Sequence, residues 1–189
     1  MLLSCDGATV YYGERFNTYT HLAGTLLALA GAAVLIVLGV LSGDVWKIVS
    51  FSIYSATLVL MYSLSTLYHG TRGRAKNVFR ILDHNAIYLL IAGSYTPFVL
   101  VTLRGPWGWS LFGVVWGLAA AGIMREFLLG KRTRVMSLVI YVLMGWVAIV
   151  AVTPLAEALS WAGFAWVVAG GVVYTVGIIF YLYDKRFTH

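Results

Sequence analysis

The sequence predicts an all-α integral membrane protein with six transmembrane helices, and three observations lead to that fold class. Of the 189 residues, 61% are hydrophobic and 11% are charged, whereas a soluble domain carries about 25% charged residues. Six apolar stretches are each long enough to cross a hydrocarbon core of about 30 Å, which requires roughly 20 residues. Many of the seven Trp and twelve Tyr residues stand at the ends of these stretches, where amphipathic rings lie at headgroup level.

The predicted spans are residues 19–41, 45–68, 81–103, 107–128, 135–153 and 161–183. The connectors between them are short, which favours antiparallel neighbours in a single transmembrane domain covering residues 1–189. Pro97 lies inside the third span and is expected to kink it, because proline has no backbone N–H. The single cysteine, Cys5, excludes an intramolecular disulfide and a Cys-rich zinc site.

The net charge of +6 is explained better by orientation in a membrane than by nucleic-acid binding, because the basic residues lie in the short connectors. Cytoplasmic connectors of membrane proteins are enriched in Lys and Arg. A cytoplasmic N-terminus places on one side Arg15, Arg72, Arg74, Lys76, Arg80, Lys131, Arg132, Arg134, Lys185 and Arg186. The other side keeps only Lys47 and Arg104. We therefore expect this orientation, with membrane lipids as partners.

Polar residues interrupt the apolar pattern in three clusters, which are Glu14, Asn17 and His21; Tyr62, Ser65 and His69; and Asp83, His84 and Asn85. The first two clusters have spacings of three and four, so their members share a helix face. The predicted topology puts all three clusters at one depth, near the cytoplasmic ends of the first three helices. Ionisable groups in a membrane span usually face the protein interior and find partners there.

The chemistry of these residues permits a metal site. His69 offers an imidazole nitrogen to a divalent metal, and Asp83 either binds the metal or holds a water on it. Ser65 could orient a neighbouring group. Zinc lowers the pKa of its water to about 7 but needs about three protein ligands. His69 is the strongest candidate and Asp83 the next.

Simpler interpretations stay open at this point. His69 could be an interfacial residue at a helix end, and Asp83 could be an N-cap or a partner of Arg80. Glu14, Asn17 and His21 could form only a hydrogen-bonded beginning of the first helix.

The order of several motifs resembles a known family. Glu14, Asn17, Thr20, His21 and Gly24 form the pattern E-x-x-N-x-x-T-H-x-x-G, which resembles the first helix of the hemolysin III proteins. These belong to the progestin and adipoQ receptor superfamily, which includes the adiponectin receptors. The run from Ser65 to His69 resembles the S-x-x-x-H motif of the second helix. Leu82-Asp83, followed by Ala92-Gly-Ser-Tyr-Thr-Pro-Phe98, resembles the third helix.

The resemblance implies a seven-helix fold with a cytoplasmic N-terminus and a zinc site near the cytoplasmic face. In the family pattern His69 is one ligand, Asp83 holds the zinc-bound water, and Ser65 lies beside that network. Two further ligands come from an H-x-x-x-H motif on the seventh helix. The sequence ends after its sixth span and has no H-x-x-x-H. Either the chain is truncated before a seventh helix or the protein lacks that helix. We expect truncation, which leaves the zinc site of this chain incomplete.

Three functions follow as hypotheses. The resemblance to receptors with proposed ceramidase-like activity suggests a zinc-dependent hydrolase of lipid amides, with Asp83 and Ser65 as catalytic candidates, His69 as a metal ligand, and Glu14, Asn17 and His21 in support. A membrane sensor with structural zinc is the second hypothesis. A haemolysis-associated pore is the third, although no helix carries the continuous polar stripe expected of a water-filled conduit.

Overall fold

The computed structural model describes residues 12–129 and 134–187, which are mostly helical and contain no strand. Within these ranges six helical segments are long and apolar enough to cross a membrane. They are Arg15–Leu41, Val45–Gly70, Gly73–Thr102, Pro106–Leu128, Val135–Ala158 and Trp161–Phe180. The predicted fold class is confirmed. The predictions for Cys5, Lys131, Arg132 and His189 fall outside the described residues.

The α-helices of the described residues are α1 (Arg15–Leu41), α2 (Val45–Gly70), α3 (Gly73–Pro97), α4 (Pro106–Leu129), α5 (Arg134–Trp146), α6 (Val152–Ala158) and α7 (Trp161–Phe187). The chain divides into two compact units, residues 1–93 and 94–189, which are described separately. The boundary falls within α3, so the first unit contains α1, α2 and most of α3.

A short turn joins α1 to α2 in the first unit. Gly43 has a φ of 66°, a left-handed conformation that glycine adopts without steric cost. Asp44 then caps α2, because its carboxylate accepts a hydrogen bond from the N–H of Trp46 at 2.9 Å. The turn reverses the chain directly and makes α1 and α2 neighbours.

Close approaches hold the helices of the first unit together. A Cβ atom at Gly24 would lie 2.5 Å from the ring of Tyr62, and one at Gly93 would lie 2.1 Å from the hydroxyl oxygen of Thr57. Small residues permit such approaches between membrane helices. The hydroxyl groups of Thr25 and Thr66 are 3.3 Å apart across α1 and α2. These approaches bring the polar side chains of α1, α2 and α3 close to one another.

The third helix begins at Gly73 rather than at residue 81. Gly73 has a φ of 62° and turns the chain, and the basic residues that follow it are good helix formers. Hydropathy alone assigned Arg74, Lys76 and Arg80 to a connector because they are charged. In the structure they lie on the N-terminal turns of α3, and Lys76 is thereby placed next to Glu14.

At Pro97 the helical hydrogen-bonding register changes in the second unit. A π-helical turn follows over Phe98–Thr102, and the N–H of Leu103 bonds to the carbonyl of Phe98 at 2.8 Å. Proline cannot donate the backbone bond that would continue α3, so the disruption predicted at this residue takes the form of a widened turn.

The fifth span is not one continuous α-helix. After α5 ends at Trp146, a 3₁₀ segment covers Val147–Ala151, and α6 completes the span. Pro154 stands in the first turn of α6, where its missing N–H is tolerated. The hydropathy pattern predicted a span but gave no signal for this break.

Candidate functional site

Glu14, His69 and Lys76, here called the end cluster, come from three different segments of the first unit. Glu14 directly precedes α1, His69 lies in the last turn of α2, and Lys76 lies in the first turn of α3. The Oε2 atom of Glu14 contacts Nδ1 of His69. Its Oε1 atom accepts a hydrogen bond from Nζ of Lys76 at 2.9 Å. A single carboxylate thus joins the ends of three helices.

The charges of the end cluster are partly shielded from solvent, since the side chains of Glu14, His69 and Lys76 are 25%, 16% and 20% exposed. Burial by itself raises the pKa of the Glu14 carboxyl, but the hydrogen bonds and positive charges of His69 and Lys76 outweigh it, and the pKa is lowered. Glu14 is therefore an anion at neutral pH, as an acceptor for two donors requires.

The imidazole of His69 is held from one side only. Its Nδ1 faces Glu14, and no hydrogen bond to its Nε2 occurs among the described residues. The ring lies 4.6 Å from that of Tyr68 and 5.3 Å from that of His21, measured between centroids. With Nδ1 paired to a carboxylate, Nε2 is the nitrogen left to accept a proton or bind a metal.

A second set lies on the same three helices, farther from the helix ends than the end cluster. It is called the inner group and consists of His21, Ser65 and Asp83. Asp83 is 7% exposed, and its Oδ1 has no hydrogen-bond partner in the described part of the chain. Its Oδ2 lies 3.5 Å from Nδ1 of His84. Nδ1 of His21 is likewise buried without a described partner. His21 is within electrostatic range of His69 and Asp83, so it connects the two sets.

The other predicted site residues differ in their placement. Ser65 is 2% exposed and lies one turn before His69, but no described hydrogen bond joins it to His69 or Asp83. The side chain of Asn17 forms no hydrogen bond within the described residues. Asn85 is 6% exposed and donates to the carbonyl of Ile81 at 2.7 Å. Glu14 and His69 are thus a predicted pair, from different segments of the chain, that the structure brings into direct contact.

The interpretation of Asp83 as an N-cap or a partner of Arg80 is wrong. Because α3 begins at Gly73, Asp83 lies inside the helix, where the backbone N–H groups are already bonded. Its described ionic contact is with His84. A buried carboxylate with an unpaired oxygen is costly in stability, which is typical of a functional residue.

Sequence reasoning missed Lys76 and Tyr68. Lys76 was assigned to a connector as a determinant of topology, and Tyr68 was not considered. The available signal was helical spacing: on an α3 extended towards its N-terminus, Lys76 precedes Asp83 by about two turns and shares its face. Reading the helix backward from Asp83 would have placed Lys76 next to the polar clusters.

The fit to zinc is partial. Imidazole and carboxylate donors are the ligands that zinc takes in proteins without Cys, and the Glu14–His69 contact resembles the outer pairing of a metal-binding His. Within the described residues, however, no group of three or more His, Cys, Asp or Glu side chains is placed to hold a metal ion. The donors in the described residues fit zinc in kind but not in number.

Comparison with known proteins adds an independent finding. The family model described as "Haemolysin-III related" matches residues 10–188. The chain is 43% identical over 173 residues to "Hemolysin-3" of Bacillus cereus, an alignment that covers 91% of this chain and 79% of that protein. It is 44% identical over 173 residues to the "Hemolysin-3 homolog" of Bacillus subtilis (strain 168), with 91% and 81% covered.

A more distant relative is human. The chain is 28% identical over 179 residues to "Monocyte to macrophage differentiation factor" of Homo sapiens, with 92% of this chain and 73% of that protein covered. No solved structure matches the chain at a significant level.

Proposed function

Since this chain belongs to the hemolysin III family of the progestin and adipoQ receptor superfamily, we propose that it is a zinc-dependent membrane hydrolase of lipid amides. The proposed zinc site lies near the cytoplasmic face of a bacterial plasma membrane, with the N-terminus in the cytoplasm. His69 contributes one zinc ligand. The other ligands come from residues that the structure does not describe. Bound zinc would supply Lewis acidity toward an amide carbonyl and activate a water at neutral pH.

The observation that supports this proposal best is the pairing of Glu14 with Nδ1 of His69. A metal-binding His commonly donates its second ring N–H to a carboxylate, which fixes the tautomer and the ring orientation. Glu14 supplies that carboxylate. An interfacial His facing water would not need a partner from another helix, so the pairing favours a ligand role for His69.

Asp83 has the second role in the proposal. Its Oδ1 is buried and has no hydrogen-bond partner in the described part of the chain, so it can accept a hydrogen bond from a water and then take its proton. Ser65 is buried on the same helix as His69 and is proposed to hydrogen-bond within this network once substrate or water is present. The amide substrate class is taken from the family resemblance.

The test measures zinc and turnover together. The protein is purified from membranes both as the 189-residue chain and with any sequence that follows His189 in the natural gene product. Zinc is quantified by mass spectrometry, and release of fatty acid from N-acyl sphingoid bases is followed. We expect His69→Gln to lose zinc and activity. Asp83→Asn should keep zinc and lose activity, whereas Asp44→Asn, a carboxylate that caps α2, should keep both.

The outcomes separate three functions. Absence of zinc from every form of the protein would overturn the metal site and the hydrolase with it. Zinc without turnover of any acyl amide would contradict the hydrolase and favour a sensor with structural zinc. Ion flux through liposomes that is lost in His69→Ala would favour a haemolysis-associated pore; the names of the two Bacillus relatives refer to haemolysis.

A further inference from the structure

Contacts with Glu14 and Tyr68 hold Lys76 at the end cluster. Its Nζ atom donates to Oε1 of Glu14 at 2.9 Å and to the carbonyl of Tyr68 at 3.2 Å. It also lies 4.5 Å from the centre of the Tyr68 ring. The side chain is 20% exposed. A lysine that served only to orient the protein in the membrane would extend its ammonium group into water instead.

The position of the Tyr68 carbonyl explains why the ammonium group stays there. Tyr68 lies in the last turn of α2, which ends at Gly70, and carbonyls in a last turn have no partner within their own helix. The negative end of the helix dipole also favours a cation, and the ring face adds a cation–π contribution. Lys76 therefore stabilises the end of α2 whether or not Glu14 is present.

The two oxygens of Glu14 are divided between two partners. Oε1 is bonded to Lys76, and Oε2 faces Nδ1 of His69. Because both oxygens belong to one rigid planar group, fixing Oε1 also fixes where Oε2 points. Glu14 precedes α1 and is 25% exposed, so a Glu14 released by Lys76 would be free to turn towards water.

We propose that Lys76 is a positioning residue, which anchors Glu14 so that the carboxylate keeps the proton of His69 on Nδ1 and leaves Nε2 as the free nitrogen. This inference rests on the proposed function for its purpose, since a free Nε2 is what a ligand role of His69 requires. The geometry that carries it involves only the contacts of the chain itself.

The test reads the tautomer of His69 directly, without zinc. The chain has four His residues, so protein labelled with ¹⁵N at His gives a small set of imidazole signals, and His69→Gln identifies the signal of His69. Spectra are recorded at about pH 8.5, where an ordinary His is neutral. We expect the Nδ1–H form in the wild type and a marked loss of that form in Lys76→Met. Lys76→Arg keeps a cation and should restore most of it.

Arg74→Met is the matched control. Arg74 is exposed, lies on the same turn of α3, and makes no described contact, so this substitution removes one positive charge and should leave the tautomer of His69 unchanged. Glu14→Gln is the second variant, and it should lose the Nδ1–H form even though Lys76 is present. It tests the Glu14–His69 part of the inference. Lys76→Gln, which removes the charge but keeps a polar side chain, tests the Lys76 part if Lys76→Met does not fold.

Two results would overturn the inference: an unchanged His69 tautomer in Lys76→Met, or equal losses in Lys76→Met and Arg74→Met. Zinc titration gives a separate measurement, with affinity expected to fall about 10–100-fold in Lys76→Met, as for the loss of other groups that orient a ligand. A wild type that binds no zinc but shows the Lys76-dependent tautomer would contradict the proposed function and support the positioning role.

Discussion

The hydroxyl of Tyr95 donates a hydrogen bond to the carbonyl of Gly145 at 2.8 Å, and it accepts one from the N–H of Ala148 at 3.1 Å. Both backbone groups belong to the place where α5 gives way to the 3₁₀ segment Val147–Ala151. In lipid no water is present to pair with a free backbone group. The Tyr95 side chain on α3 therefore provides hydrogen-bond partners for two backbone groups at the break in the fifth span.

Removing the hydroxyl of Tyr95 should destabilise the second unit. Tyr95→Phe loses both hydrogen bonds, and we expect a cost of roughly 0.5–2 kcal/mol, measured as a lower melting temperature in detergent. Tyr19→Phe is the control, because Tyr19 is 69% exposed and its side chain forms no described hydrogen bond. Equal melting temperatures for the two variants would show that the break is satisfied in another way.

A methyl group at Gly145 should also be destabilising. The added Cβ would lie 2.2 Å from the ring of Tyr174, and that ring cannot easily retreat, because its hydroxyl donates to the carbonyl of Tyr141 at 2.7 Å. Gly145→Ala is expected to cost about 1–3 kcal/mol through overpacking. Gly117→Ala meets nothing within 4 Å and should leave the melting temperature unchanged or slightly raised. The reverse order would contradict the packing described for α5 and α7.

Stability should depend on pH through Glu14. Its folded-state pKa is lowered from the usual 4.5 by His69 and Lys76, which outweigh its burial. Its stabilising contribution is therefore complete above the usual value and is lost as pH falls through the lowered value. The melting-temperature difference between wild type and Glu14→Gln should be largest at neutral pH and shrink in acid. Glu157→Gln, at an exposed position without described contacts, should show no such trend.

The proposed orientation can be checked by Cys labelling. On a Cys5→Ser background, Ser42→Cys lies between α1 and α2, Arg104→Cys between α3 and α4, and Arg74→Cys near the turn between α2 and α3. With the N-terminus in the cytoplasm, a membrane-impermeant maleimide added to intact cells should label positions 42 and 104 and leave 74 unlabelled until the cells are opened. If only Arg74→Cys is labelled on intact cells, the N-terminus lies outside the cytoplasm and the proposed orientation is wrong.

The sequence by itself determined that the chain spans a membrane with six helical segments, and it identified most of the polar residues of the candidate site. Hydropathy is a local property, because a run of about 20 apolar residues predicts a membrane span without knowledge of the rest of the chain. Helical spacing likewise placed Glu14 and His69 on faces with other polar residues. The motif order was sufficient for the family, which the comparisons confirmed.

Only the tertiary structure decided which polar groups meet. Nothing local to Glu14 shows that its two oxygens are divided between His69 and Lys76, because the contacts depend on which helix ends come together. Lys76 was hidden because charge ends an apolar run without ending the helix, so α3 extends beyond its hydrophobic part to Gly73. The Tyr95–Gly145 hydrogen bond could not be predicted because its partners are distant in sequence. Packing alone brings them within hydrogen-bonding distance.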